Sequence, residues 1–122
     1  MRTIRLGLFA LTLAAAAILV TACAAGVPAD PPAITGVVST VSGSGDGTSI
    51  LVLGSGQVDK ASVFIDARTT LLRKTDRGTS ALLLADVAAG VRVSVWFDGP
   101  VAESYPVQGH AGTVLLLPPA TP

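Results

Sequence analysis

Val91, Val93, Val95 and Phe97 alternate with Arg92, Ser94, Trp96 and Asp98, and this period of two sets the fold class of the chain. Successive strand side chains point to opposite faces, so one face of this segment is apolar and has to be buried. The remaining apolar stretches are short and rich in β-branched residues: 34–41 (ITGVVSTV), 50–53 (ILVL), 61–65 (ASVFI) and 113–117 (TVLLL). Such runs, separated by Gly, Ser and Pro, read as strands of a mainly β domain.

The connections follow from the same reading. Residues 42–49 (SGSGDGTS) form a Gly/Ser hairpin connection; they lack the Gly-Lys-Ser/Thr ending of a phosphate loop and the acidic companions of a calcium loop. Residues 66–72 continue the third strand past a kink or bulge, and 73–79 (RKTDRGT) are a polar loop. Residues 82–89 (LLLADVAA), closed by Gly90, are one or two turns of helix, with Gly90 suited to the left-handed cap. Asp98-Gly99-Pro100 is a turn that ends the long strand, and 101–104 form a short strand. Tyr105-Pro106 is a bend where a cis bond is worth looking for, although trans is the default. Five or six strands, with a short helical turn before the penultimate long one, predict a small OB-like barrel; an open β-sandwich is the alternative.

Residues 1–22 have the layout of an export signal. Arg2 and Arg5 precede an apolar run over 6–20, which is shorter than the roughly 20 residues a spanning helix needs. Val20-Thr21-Ala22-Cys23 resembles the lipobox of bacterial lipoproteins. The resemblance implies lipidation of the Cys23 thiol and removal of the leader. Several acyl chains on one residue anchor stably, where a single chain binds marginally. Residues 24–33 (AAGVPADPPA) contain Pro28, Pro31 and Pro32, so they are a semi-extended tether. The expected organisation is signal peptide 1–22, lipidated Cys23 and tether to 33, barrel 34–117 and tail 118–122.

Charge narrows the partners. Eight basic residues balance eight acidic ones, and Arg2 and Arg5 belong to the leader, so acids exceed bases in the remainder. No excess of cations exists to neutralise a phosphate backbone, so nucleic acid is not an expected partner. Lys60, Arg68, Arg73, Lys74 and Arg77 cluster in one third of the chain and read as a solvated loop face, with an anion site as the alternative. Cys23 is the single cysteine, so no intramolecular disulfide can form.

Two segments resemble the YobA-like lipoproteins, small bacterial envelope proteins that carry a domain of unknown function. Ile34-Thr35-Gly36-Val37-Val38 is similar to the strand that opens the family's domain. Residues 90–108 (GVRVSVWFDGPVAESYPVQ) are similar to its G-x-x-V-x-V-W-F-x-G-x-V-x-E-S-Y-P-x-Q run. The resemblance implies an exported, often lipid-anchored barrel without established activity, and it assigns no catalytic residue. Gly109-His110-Ala111-Gly112 departs from the apolar stretch expected after Gln108, so His110 inherits no role.

The sequence offers little chemistry. His110 is the only histidine, and its glycine neighbours predict a mobile exposed loop. A hydrolytic triad would have to use it, and a zinc site would need further ligands. Asp98 and Glu103 flank a turn and could approach each other as any hairpin charges do. The stronger candidate is the outward face of strand 91–97: Arg92 and Trp96, with Glu103 and Tyr105 close in sequence, could stack on a planar or glycan ligand or anchor a protein. Against this, Trp96 could pack under the 82–89 turn as a second small core. No catalytic residue, metal or cofactor is expected. The reading is a non-enzymatic envelope lipoprotein, anchored to the membrane through Cys23, that binds an envelope protein or cell-wall partner. The alternative is a structural or assembly-assisting protein without a ligand. Cys23→Ser is expected to move the protein from the membrane fraction to the soluble fraction on sedimentation; continued membrane association would refute the lipid anchor.

Overall fold

The structure is a computed structural model that describes residues 26–119. The leader, Cys23 and residues 120–122 lie outside that range. Seven strands follow in order: β1 (Ile34–Ser42), β2 (Thr48–Gly56), β3 (Lys60–Ile65), β4 (Thr70–Thr75), β5 (Gly78–Ala81), β6 (Arg92–Ala102) and β7 (Val107–Leu117). Their order in the sheet is β3-β2-β1-β6-β7-β4-β5, and a parallel pairing of β3 with β7 closes the first five into a barrel. The protein is thus mainly β, an OB-like five-stranded barrel to which the β4–β5 hairpin is added beside β7. Among the described residues, no helix is long and apolar enough to cross a membrane.

Alternation fills the interior. Ile34 and Val38 of β1, Ile50 and Val52 of β2, and Val63 and Ile65 of β3 are almost wholly buried, and Val93, Val95 and Val114 complete the same core. Each such side chain contributes about 1.5–3 kcal/mol when fully removed from water. Val91 and Phe97 pack against this core half-buried, so the expected inward face of the 91–97 segment is the observed one. Bulges adjust the registers. One in β1, between Val38 and Thr40, lies just beyond the Ile34–Val37 stretch that pairs with both β2 and β6. On β7, Gly112 lies opposite the step from Trp96 to Phe97, and the buried positions change from Gly109 and Ala111 to Val114 and Leu116 across it.

Several local expectations are corrected. Residues 66–72 do not prolong β3; the chain turns at Asp66–Thr69 and starts a new strand, β4. The polar segment 73–79 is no loop but the end of β4, a tight turn at Asp76-Arg77 and the start of β5; its charges are tolerated because this hairpin is exposed. The 82–89 segment does form the expected short helical turn, as a single 3₁₀ turn at Leu84–Asp86. Leu82 and Val87 on either side of the turn belong to the main core, so the turn serves to seat two apolar anchors. Gly90 has the expected left-handed φ of 96°, but no α-helix precedes it, and its N–H instead bonds the Val38 carbonyl. Asp98-Gly99-Pro100 does not end β6. It bulges out of the strand, which resumes at Val101 opposite Gly109. The peptide Tyr105-Pro106 is cis.

Gly36 and Gly54 face each other where β1 crosses β2. A Cβ on Gly36 would run into the Leu53 carbonyl oxygen and the Gly54 Cα, both of them backbone. Gly36→Ala is therefore expected to lower the unfolding free energy by at least about 2 kcal/mol. Gly47→Ala, where a Cβ meets open space, should stay within about 0.5 kcal/mol. Urea midpoints at unchanged m-values would measure both.

Candidate functional site

Arg92, Trp96, Glu103 and Tyr105 do not form one patch. Arg92 is the first residue of β6, away from the other three, where it lines a separate cleft. Trp96 sits half-buried on the outer face of β6, opposite Thr113 of β7. Its cover is not the 82–89 segment. The indole Nε1 donates to the Asp30 carbonyl at 2.7 Å, so the proline-rich segment before β1 is strapped to it. The same segment is fixed one step later. Ala33 donates to the Val95 carbonyl at 2.8 Å, and its own carbonyl accepts from the N–H groups of Gln57 and Val58. The end of the expected free tether is thus part of the fold.

The strap borders a groove across one end of the barrel. One half, about 300 Å³, is lined by Asp30, Pro31, Trp96 and Gly99; the other, about 390 Å³, by Val58, Glu103, Ser104 and Val107. Ala33, Gln57, Phe97 and Val101 line both halves and make them one surface. Gly109 creates its floor: a Cβ there would meet the Phe97 ring at 2.8 Å, so only glycine lets the ring lie over β7. Phe97 and Val101 reach the floor because the Gly99-Pro100 bulge lengthens β6 at this point. An apolar floor rimmed by a few amide, hydroxyl and carboxylate groups matches the chemistry of ligand clefts. Tyr105 projects beyond the rim, 71% exposed, with the Lys60 ammonium 5.4 Å from its ring centroid. Lys60 pairs across the strands with Leu53, which is exposed along with Phe64 of β3. The rim therefore continues onto the outer face of β2 and β3, the face that carries ligands in OB barrels.

His110 is not in a mobile loop. It lies within β7, opposite Asp98 of β6, and its side chain is 20% exposed. Its Nδ1 bonds the Asp98 Oδ1 at 2.6 Å and its Nε2 the Asp66 Oδ1 at 2.7 Å. Asp66 is aimed by the β3–β4 turn, where its carboxylate also accepts from the Arg68 N–H at 2.9 Å. Thr69 fastens the turn to β7 by donating its hydroxyl to the Ala111 carbonyl at 2.8 Å. A neutral imidazole has one N–H and satisfies one carboxylate; only the protonated ring donates to both. The Asp66 bond first, then the Asp98 bond, accordingly raise the His110 pKa above its ordinary 6.5, against the opposing effect of burial. The His110 bond and the Arg68 N–H hold the Asp66 carboxyl below its ordinary 3.8.

With both ring nitrogens bonded to carboxylates, the ring has no lone pair for a serine proton, and the considered Ser–His–Asp arrangement is not formed. The two carboxylates sit at different ring nitrogens and do not converge on a common point. Among the described residues, no group of three or more His, Cys, Asp or Glu is arranged to hold a metal ion. Asp98 is drawn to His110, and Glu103 lines the groove, so this pair of carboxylates does not act together. Comparison with family models, curated proteins and solved structures returns no match to this chain.

Sequence reading missed Phe97, Val101 and Gln57 as a groove because they are ordinary core and loop residues in the chain. It missed the clamp because Asp66 and His110 are 44 positions apart. The clamp carries a pH signature. Since the folded His110 pKa lies above 6.5, its contribution is complete below that pH and lost as pH rises through the folded value. Since the Asp66 pKa lies below 3.8, its contribution is present above that value and lost as pH falls through the folded one. Urea midpoints are expected to fall on the alkaline side in the native protein, and His110→Gln should lower the plateau and remove that decline.

Proposed function

We propose that this protein is a membrane-anchored, non-enzymatic binding module of the bacterial envelope, held by a lipid on Cys23. Its groove takes an extended ligand with apolar and polar groups, such as a peptide segment of an envelope protein or a cell-wall strand. The observation that carries this reading is the groove itself: Phe97 and Val101 leave apolar surface open at the barrel end, between Trp96 and Glu103. A purely structural module would be expected to close such a surface with its own side chains. The lipobox-like Val20-Thr21-Ala22-Cys23 and the similarity of residues 90–108 to the YobA-like lipoproteins support the envelope setting.

A photo-crosslinking amino acid at Val101, in the anchored protein within cells, tests the proposal. A discrete adduct is expected, reduced several-fold by Trp96→Ala, and absent when the crosslinker replaces Leu83, which is exposed and lines none of the groove. Labelling at Val101 no stronger than at Leu83 would overturn the binding role in favour of a structural or assembly-assisting one.

A further inference from the structure

Far along β6 from the groove, a second cleft of about 250 Å³ opens where β7 ends. It is lined by Gly90, Val91, Leu116, Leu117, Pro118 and Pro119, together with Arg73, Lys74 and Arg92. Among the described residues, every ionisable side chain of that lining is a cation and no carboxylate contributes to it. The strand registers explain the convergence. Arg92 of β6 lies opposite Leu117, and Arg73 of β4 is level with Leu116, so Lys74 comes alongside Leu117 on its other side. Alternation places Lys74 and Arg92 on the same face, with their Cα atoms about 10 Å apart across β7. Their long side chains straddle one leucine.

The three cations differ in how far they are neutralised. Arg73 is bonded to Asp86 at 3.1 Å. Among the described residues, Arg92 reaches only the Pro118 carbonyl, through Nη1 at 3.4 Å, and its other guanidinium donors have no partner there. Lys74 forms no ion pair among the described residues. Like charges held around a concave, partly apolar surface raise the local potential and concentrate anions. The opposite side of the molecule behaves differently, because Asp30 and Glu103 border the groove there.

We infer that this cleft is an anion site for a phosphate group carried on an apolar body, with Arg92 and Lys74 as its direct ligands. The Arg92 guanidinium offers paired donors to two phosphate oxygens, Lys74 supplies a point charge from the other side, and Val91, Leu116 and Leu117 receive the attached carbons. Arg73, paired with Asp86, lines the cleft but adds little net charge to it. A phospholipid headgroup and a small soluble phosphate monoester present the same chemistry. The site stands on the cleft alone and does not depend on the groove or on the lipid anchor.

The test follows backbone amide shifts of Gly90, Val91 and Leu117 in the ¹⁵N-labelled full chain, held in uncharged maltoside micelles and titrated with inorganic phosphate. A parallel arm places the chain in nanodiscs of phosphatidylglycerol or of phosphatidylcholine. Saturable shifts with inorganic phosphate identify a soluble source; shifts of the same amides only in phosphatidylglycerol identify the headgroup. In either case Lys74→Gln or Arg92→Gln is expected to weaken binding about tenfold, while Arg68→Gln, outside the cleft, leaves it unchanged. Retained amide dispersion shows that the variants are folded. The inference is overturned if neither arm moves these amides, or if the double variant binds as the native chain does.

Discussion

The parallel pairing of β3 with β7 is the contact on which the rest depends. A five-stranded sheet left open would expose two unpaired edges, and this pairing removes both. It is also the contact that local sequence supports least, since Ala61 and Val107 meet across three intervening strands. The molecule reinforces it with side chains. His110 on β7 holds Asp98 of β6 with one nitrogen and Asp66, just beyond β3, with the other. One ring thus ties β6 and the end of β3 to β7, and the Thr69 hydroxyl adds a further bond to the same strand.

The barrel was legible in the chain because alternation and β-branched runs are local signals. Val93 and Val95 point inward as the period of two requires, and Gly-rich 42–49 joins β1 to β2. The insertion beside β7 was not legible. Residues 73–79 carry six polar or charged side chains, and composition of that kind marks solvent exposure without distinguishing a loop from an exposed hairpin. Leu82 and Val87 stand five residues apart, a spacing that does not put them on one helix face; they flank a single 3₁₀ turn as two separate core anchors, an arrangement set by tertiary burial and not by local preference.

The candidate residues fared unevenly for the same reason. Trp96 and Glu103 line one continuous groove, Tyr105 stands at its rim, and Arg92 belongs to a different surface. Sequence proximity placed them together, whereas the bulge at Gly99-Pro100 and the length of β6 spread them along the barrel. The His110–Asp66 bond and the placement of Arg92 and Lys74 on either side of Leu117 are long-range products of register. No spacing rule within a single chain announces either.

Ala33 donates to Val95 and accepts from both Gln57 and Val58, and Trp96 grips Asp30 three residues earlier. The chain therefore enters the barrel through a rigid hook and not through a swivel. A pull applied upstream is delivered as torque to β6 and to the β2–β3 connection at once. The groove lies between those two, so its mouth has a fixed bearing relative to the incoming segment at Asp30 and Ala33.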